Sequence, residues 1–182
     1  MKELVGKPGG MSLPSYKDSK MLEEASIPFW VNYFSHNRHV HKVYQYGDDE
    51  VIQKQEHWDL LVILKGSEGP KRIDVKTRST TYYERYLNDR SILVEINGNT
   101  SGRQGSSIFN SNADLWAYAF FDGRQLAEIL VYDRKRFAEW LKDTKNFFPR
   151  PRNSNTDGLY ETENILIPRP FFNPFVCKWL DN

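Results

Sequence analysis

Apolar and polar positions change period several times along the chain, and each change marks an element. Leu22, Ala25, Phe29, Trp30, Tyr33 and Phe34 recur at helical spacing. Ser19 is placed to cap a helix beginning at Lys20, and Pro28 implies either a kink or the start of a second helix. From His39 to Tyr46, HVHKVYQY alternates as a strand does, and the acidic GDDE after it reads as a turn. HWDLLVIL (57–64) and KRIDVKT (71–77) are two further strands, joined by the Gly- and Pro-bearing KGSEGPK. Strand alternation puts His57 and Asp59 on one face of the first, with Trp58, Leu60 and Val62 on the other. On the second, Arg72, Asp74 and Lys76 point one way, and Ile73, Val75 and Thr77 the other. SILVEI (91–96) is a fourth strand, followed by the Gly-rich NGNTSGRQGSS. Residues 112–120, NADLWAYAF, predict a helix capped by Ser111 or Asn112. LAEILVY (126–132) predicts a strand, and Asp133 caps a helix over RKRFAEWLKD. The basic loop PRPRNSNTDG and a last strand candidate, NILIP, lie in the tail.

Length and composition narrow the class. At 182 residues the chain suits one domain, and 39% hydrophobic with 27% charged residues describes a folded globule. Residues 1–18, with several Gly and Pro, read as a loose arm, 19–145 as the core, and 146–182 as a C-terminal extension packing on it. A net charge of +1 means that any basic surface is local. The single cysteine, Cys177, excludes an internal disulfide and points to a reducing compartment. No run of 18 apolar residues is present and the first residues lack a secretory apolar stretch. The expectation is a cytoplasmic protein with no membrane partner.

The chemistry concentrates between Glu56 and Arg78. A D-x-K alternation on a strand is ordinarily a solvated face with an ion pair worth about 0–1 kcal/mol. Asp59 changes that reading, because a carboxylate at the head of an apolar strand is costly to bury unless paired or metal-bound. If the two strands form a hairpin with matched faces, Asp59, Asp74 and Lys76 converge as a divalent-metal site with a lysine beside it. Arg72, Arg78, Arg85, Arg90 and Arg103 flank this stretch, interleaved with Tyr82, Tyr83 and Tyr86. Arginines bind phosphates through paired N–H donors and tyrosines stack on unpaired bases; a solvated charged loop fits the same residues. His36, His39, His41 and His57 are transition-metal candidates, more simply read as strand histidines or phosphate contacts. Asp114 reads as a first-turn helix residue.

Trp58-Asp59 with Asp74-Val75-Lys76 resembles the PD-(D/E)XK nuclease superfamily. The strand Leu93-Val94-Glu95, the loop Gly98–Gly105 and Ala113-Asp114-Leu115-Trp116 resemble a subgroup frequent in phages and bacteria. The resemblance covers about residues 20–143, with Asp74 where Glu is common and Ser106 where relatives often carry an aromatic. It implies an α/β fold with a restriction-endonuclease-like core: a mixed central β-sheet flanked by helices, in the order α-β-β-β-α-β with additions. It further implies a Mg²⁺-dependent nuclease, with Mn²⁺ as substitute, acting on nucleic acid and in the first place a DNA endonuclease; a homodimer fits it. Asp59 and Asp74 would be metal ligands, with the Val75 carbonyl beside them, and Lys76 would orient water and contact the scissile phosphate. Glu23 would be the helix carboxylate in an outer metal contact, with Glu24 next in line and a capping-box role as the alternative. Arg72, Arg78, Tyr82, Tyr83 and Arg103 would hold the nucleic acid. Two other readings stay open: a non-catalytic nucleic-acid-binding relative, and an interaction protein with a fortuitous motif.

Overall fold

The computed structural model describes residues 19–45, 58–66, 69–79, 91–98, 108–122, 125–149, 152–154 and 161–177. The first helix, α1 (Ser19–Ser35), is continuous through Pro28. Pro28 is exposed, so its ring sits on the side of the helix turned away from the sheet. Strands β1 (Val40–Gln45), β2 (Leu60–Leu64) and β3 (Pro70–Ser79) follow, then β4 (Ser91–Gly98), β5 (Leu115–Asp122) and β6 (Gln125–Asp133). Helix α2 spans Arg134–Thr144, and the tail adds β7 (Arg152–Ser154), β8 (Glu161–Pro168) and a single turn, α3 (Arg169–Phe172). None of the described helices is long and apolar enough to cross a membrane.

The architecture is mixed α/β, built on a five-stranded sheet in the order β1-β2-β3-β5-β6. The β1/β2, β2/β3 and β5/β6 pairs are antiparallel, and β3/β5 is parallel. A parallel pair needs a crossover, and this crossover carries β4 into a second sheet, β4-β8-β7. Residues 112–120 are not a helix: from Leu115 onward they form β5. The run is apolar on both faces because β5 lies between β3 and β6 and is covered on both sides, as central strands are. Its two faces differ in size. Ala117 and Ala119 turn to α1, leaving room for Phe29, Trp30 and Phe34; Trp116, Tyr118 and Phe120 fill the other side.

Two buried clusters result, one per face. Phe29, Trp30 and Phe34 of α1 pack on Leu60, Val62, Ile73 and Val75. There Thr77 Oγ1 accepts from Trp30 Nε1 (3.2 Å) and donates to Ser26 Oγ (2.7 Å), so the helix is pinned to β3 by a buried polar chain. On the opposite face, Ile92 and Val94 of β4, Ile165 and Ile167 of β8, and Phe137, Leu141 and Phe172 cover the large side chains of β5 and β6. The C-terminal residues are thus part of the core. Cys177 is buried beside β6, its N–H donating to Val131 O at 2.8 Å. Trp58 lies in the cluster opposite the one holding Leu60 and Val62. The alternation expected to run back to it stops because β2 begins only at Leu60.

Candidate active site

The register of β2 on β3 ends at Leu60↔Ile73. Val75 is therefore past the last backbone pair, and its N–H donates instead to Asp59 Oδ2 at 2.8 Å. Asp59 is anchored in turn by its own N–H, which donates to Ile73 O at 2.8 Å. One carboxylate is thereby laid against the backbone between Asp74 and Lys76. On β3, Asp74 and Lys76 are two positions apart and share a face, and Lys76 Nζ stands 2.8 Å from Asp74 Oδ1. The Asp74 side chain is 4% exposed and that of Lys76 18%, so this pair works in a drier environment than a surface ion pair does. The ammonium balances the charge that burial would otherwise penalise.

Neighbouring strands extend the same face. Parallel register sets Asp74 beside Trp116 and Lys76 beside Tyr118, and antiparallel register sets Trp116 beside Tyr132. The Tyr132 hydroxyl is fully buried, and its pKa is pushed above the ordinary phenol value, first by that burial and then by Tyr118 and the Asp74 charge. The walls beside the carboxylate are therefore aromatic and dry.

One row nearer the start of β3, a second charged cluster closes the fold. Asp114, at the head of β5, accepts from Arg72 N (2.9 Å), Arg72 Nε (3.2 Å) and Arg72 Nη2 (3.3 Å), and stands 2.5 Å from Lys135 Nζ. Asp114 N donates to Arg72 O and Arg134 N to Asp114 O, so β3, β5 and the start of α2 meet at one residue. Burial raises the Asp114 pKa, but its bonds to Arg72 and Lys135 outweigh that and hold the carboxyl at about 2. Arg134 is buried and donates to Ala113 O (2.6 Å) and Ile108 O (2.7 Å). Asp114 is a clamp, not a first-turn helix residue. The signal that could have found it is the Arg-Lys-Arg opening of α2, cations at a helix end that disfavours them and so calls for an acid nearby.

The other expected site residues fall as follows. Arg72 is engaged by Asp114, and Arg78 lies on the Asp74–Lys76 face with Nη1 donating to Thr77 O at 3.0 Å. Glu23 lies on α1, which packs against the face turned away from Asp74; its side chain is outside the described residues. Tyr82, Tyr83 and Arg103 also lie outside them, as do Arg85, Tyr86, Arg90 and His57. His36 Nδ1 bonds to Asn32 O (2.8 Å), His39 Nε2 accepts from Arg38 Nε (3.0 Å), and His41 is exposed. Among the described residues no three His, Cys, Asp or Glu side chains group closely enough to hold a metal. Asp59, Asp74 and the Val75 carbonyl are hard oxygen donors of the kind Mg²⁺ takes, and they are the groups that would hold it. No protein-family model matches the chain, nor does any curated protein or solved structure.

Proposed function

We propose that the chain is a Mg²⁺-dependent nuclease of the PD-(D/E)XK type that hydrolyses phosphodiester bonds internally in DNA. The observation that carries this reading is the placement of the Asp59 carboxylate on the Val75 N–H, between Asp74 and its partner Lys76. The strand order around it, a hairpin whose second strand pairs in parallel with β5, supports the restriction-endonuclease-like core.

Mg²⁺ held by Asp59, Asp74 and the Val75 carbonyl would supply hydroxide near neutral pH and neutralise charge gathering on phosphorus-bound oxygens. The chain's own residues do the rest. Lys76 presents an ammonium that aligns the attacking water and the scissile phosphate, and its contact with Asp74 fixes where that charge sits. Trp116 and Tyr132 exclude solvent on the β5 side, which strengthens each of these interactions. In the reaction the water gives up a proton to solvent as its oxygen bonds to phosphorus, the bond to the leaving oxygen breaks, and that oxygen takes up a proton from solvent.

The near-complete burial of Asp74 favours one second reading, in which the Asp74–Lys76 pair is structural and the protein binds nucleic acid without cutting it. Labelled single-stranded, duplex and branched DNA, and RNA, incubated with Mg²⁺ or with EDTA, separate the two. Cleavage in Mg²⁺ alone supports the nuclease; binding without cleavage in any metal supports the second reading.

A further inference from the structure

The net charge of +1 conceals a segregation. Strand directions place the starts of β1, β3 and β5 and the ends of β2 and β6 at one end of the five-stranded sheet. That end carries Arg38 just before β1, Lys65 just after β2, Lys71 and Arg72 at the start of β3, and Lys135 and Arg136 after β6. Each strand position in this rim contributes a cation except the head of β5, where Asp114 stands. Strands lie about 4.8 Å apart, so the row extends over roughly 20 Å.

These charges are only partly balanced. Lys65 Nζ donates to Arg38 O (2.9 Å) and Arg38 Nε to His39 Nε2 (3.0 Å), both neutral acceptors. Arg72 and Lys135 both bond the carboxylate of Asp114, and among the described residues Lys65, Lys71 and Arg136 lie beyond its reach. Asp133 is engaged by the backbone N–H of Arg136, whose side chain is exposed. Glu68, between β2 and β3 in the sequence, is outside the described residues. Cations in the first turn oppose the dipole of α2, typically by about 0.3–1 kcal/mol each. That placement does nothing for the helix itself, and Asp114 offsets it in part through Lys135.

We infer that this rim is a docking track for the phosphate backbone of duplex DNA, extending from the row next to Asp74 outward across the sheet end. The inference rests on the nuclease reading for its choice of polyanion. A duplex presents one negative charge per about 1.7 Å of axis, so a row of this length faces many phosphates, and sequence plays no part in the contact. The track would position the duplex while Asp59, Asp74 and Lys76 act on one phosphate.

The test is binding of a short labelled duplex to the full chain in EDTA, followed by fluorescence anisotropy across a salt series. Lys65→Ala, Lys71→Ala and Arg136→Ala should each flatten the slope of log K against log salt by about 0.9, with equal effect on unrelated sequences. Arg136→Lys should keep the wild-type slope. Thermal melts identify any variant whose fold is altered, and Lys65 and Arg136 are both exposed enough to be read alone. Unchanged slopes in all three Ala variants, or a wild type that does not bind DNA, would overturn the inference. Because EDTA removes metal-dependent cutting, the slopes report on the rim alone. A chain that shows these slopes yet cuts nothing in Mg²⁺ supports the rim and refutes the nuclease.

Discussion

Removing the charge of Asp114 should make the protein less stable in a way that depends on pH. In the folded chain its carboxyl is held at about 2, against 3.8 for the unperturbed group, because Arg72 and Lys135 bond its ionised form. A difference of this size corresponds to about 2 kcal/mol at 1.36 kcal/mol per unit. The Asp114 side chain is 16% exposed, but Arg72 and Lys135 are 34% and 57% exposed, so solvent screening makes that figure an upper bound. The folded pKa lies below the unfolded one, so the unfolded chain binds the proton first on acidification. The contribution is complete above about pH 4 and is lost as pH falls towards 2. Asp114→Asn keeps the shape and removes the titration. Urea unfolding of both proteins at steps from about pH 6 to about pH 2.5 should give a gap of at most about 2 kcal/mol that narrows through the acid range. In thermal scans near neutral pH that gap is at most about 4–8 °C for a chain of this size. A gap that stays constant with pH would refute the clamp as an electrostatic device and leave it a matter of packing.

Three further substitutions probe separate links. Asp133→Ala removes the acceptor for Arg136 N (2.9 Å) and should cost about 1 kcal/mol in urea unfolding, with Asp133→Asn nearly neutral. Thr77→Val strips Trp30 Nε1 and Ser26 Oγ of a buried partner and should cost about 1–3 kcal/mol by the same measurement; no loss would mean that α1 is held by aromatic packing alone. Arg78→Ala, on the Asp74–Lys76 face, should weaken DNA binding alike across sequences and lower the salt slope by about one, and an unchanged slope would take Arg78 off the substrate path.

Where local pattern decides structure, the residues were legible. The existence of β1, though not its alternation, which a bulge after Val40 breaks, the alternation of β3, the apolar run of β2, and the Asp133 cap with the amphipathic helix behind it follow from near neighbours. The helix expected at 112–120 failed because Ala, Leu and aromatic residues in a short apolar run suit a buried helix as well as a central strand. What decides between them is the company of β3 and β6, which is not local information. The pairing of β4 with β8, some seventy residues downstream, is of the same kind. At the candidate site, the D-x-K face was readable from a period of two. The position of Asp59 was not, since it depends on β2 beginning only at Leu60 and leaving the Val75 N–H to a side chain. The Arg72–Asp114 pair was hidden because its partners are 42 residues apart and meet only through the β3–β5 register.

Whether Asp74 belongs to a phosphodiester-cleaving site is decided by single-turnover cleavage. Wild type and Asp74→Asn, at protein in excess over a labelled duplex, should be compared in Mg²⁺ and in EDTA, with urea unfolding of both as the control for structure. Wild type should cut in Mg²⁺ and stop in EDTA. Asp74→Asn should lose cleavage while keeping its unfolding transition and its affinity for DNA. A wild type that leaves every substrate intact in Mg²⁺, or an Asp74→Asn that cuts at the wild-type rate, would contradict the placement of Asp74 in such a site.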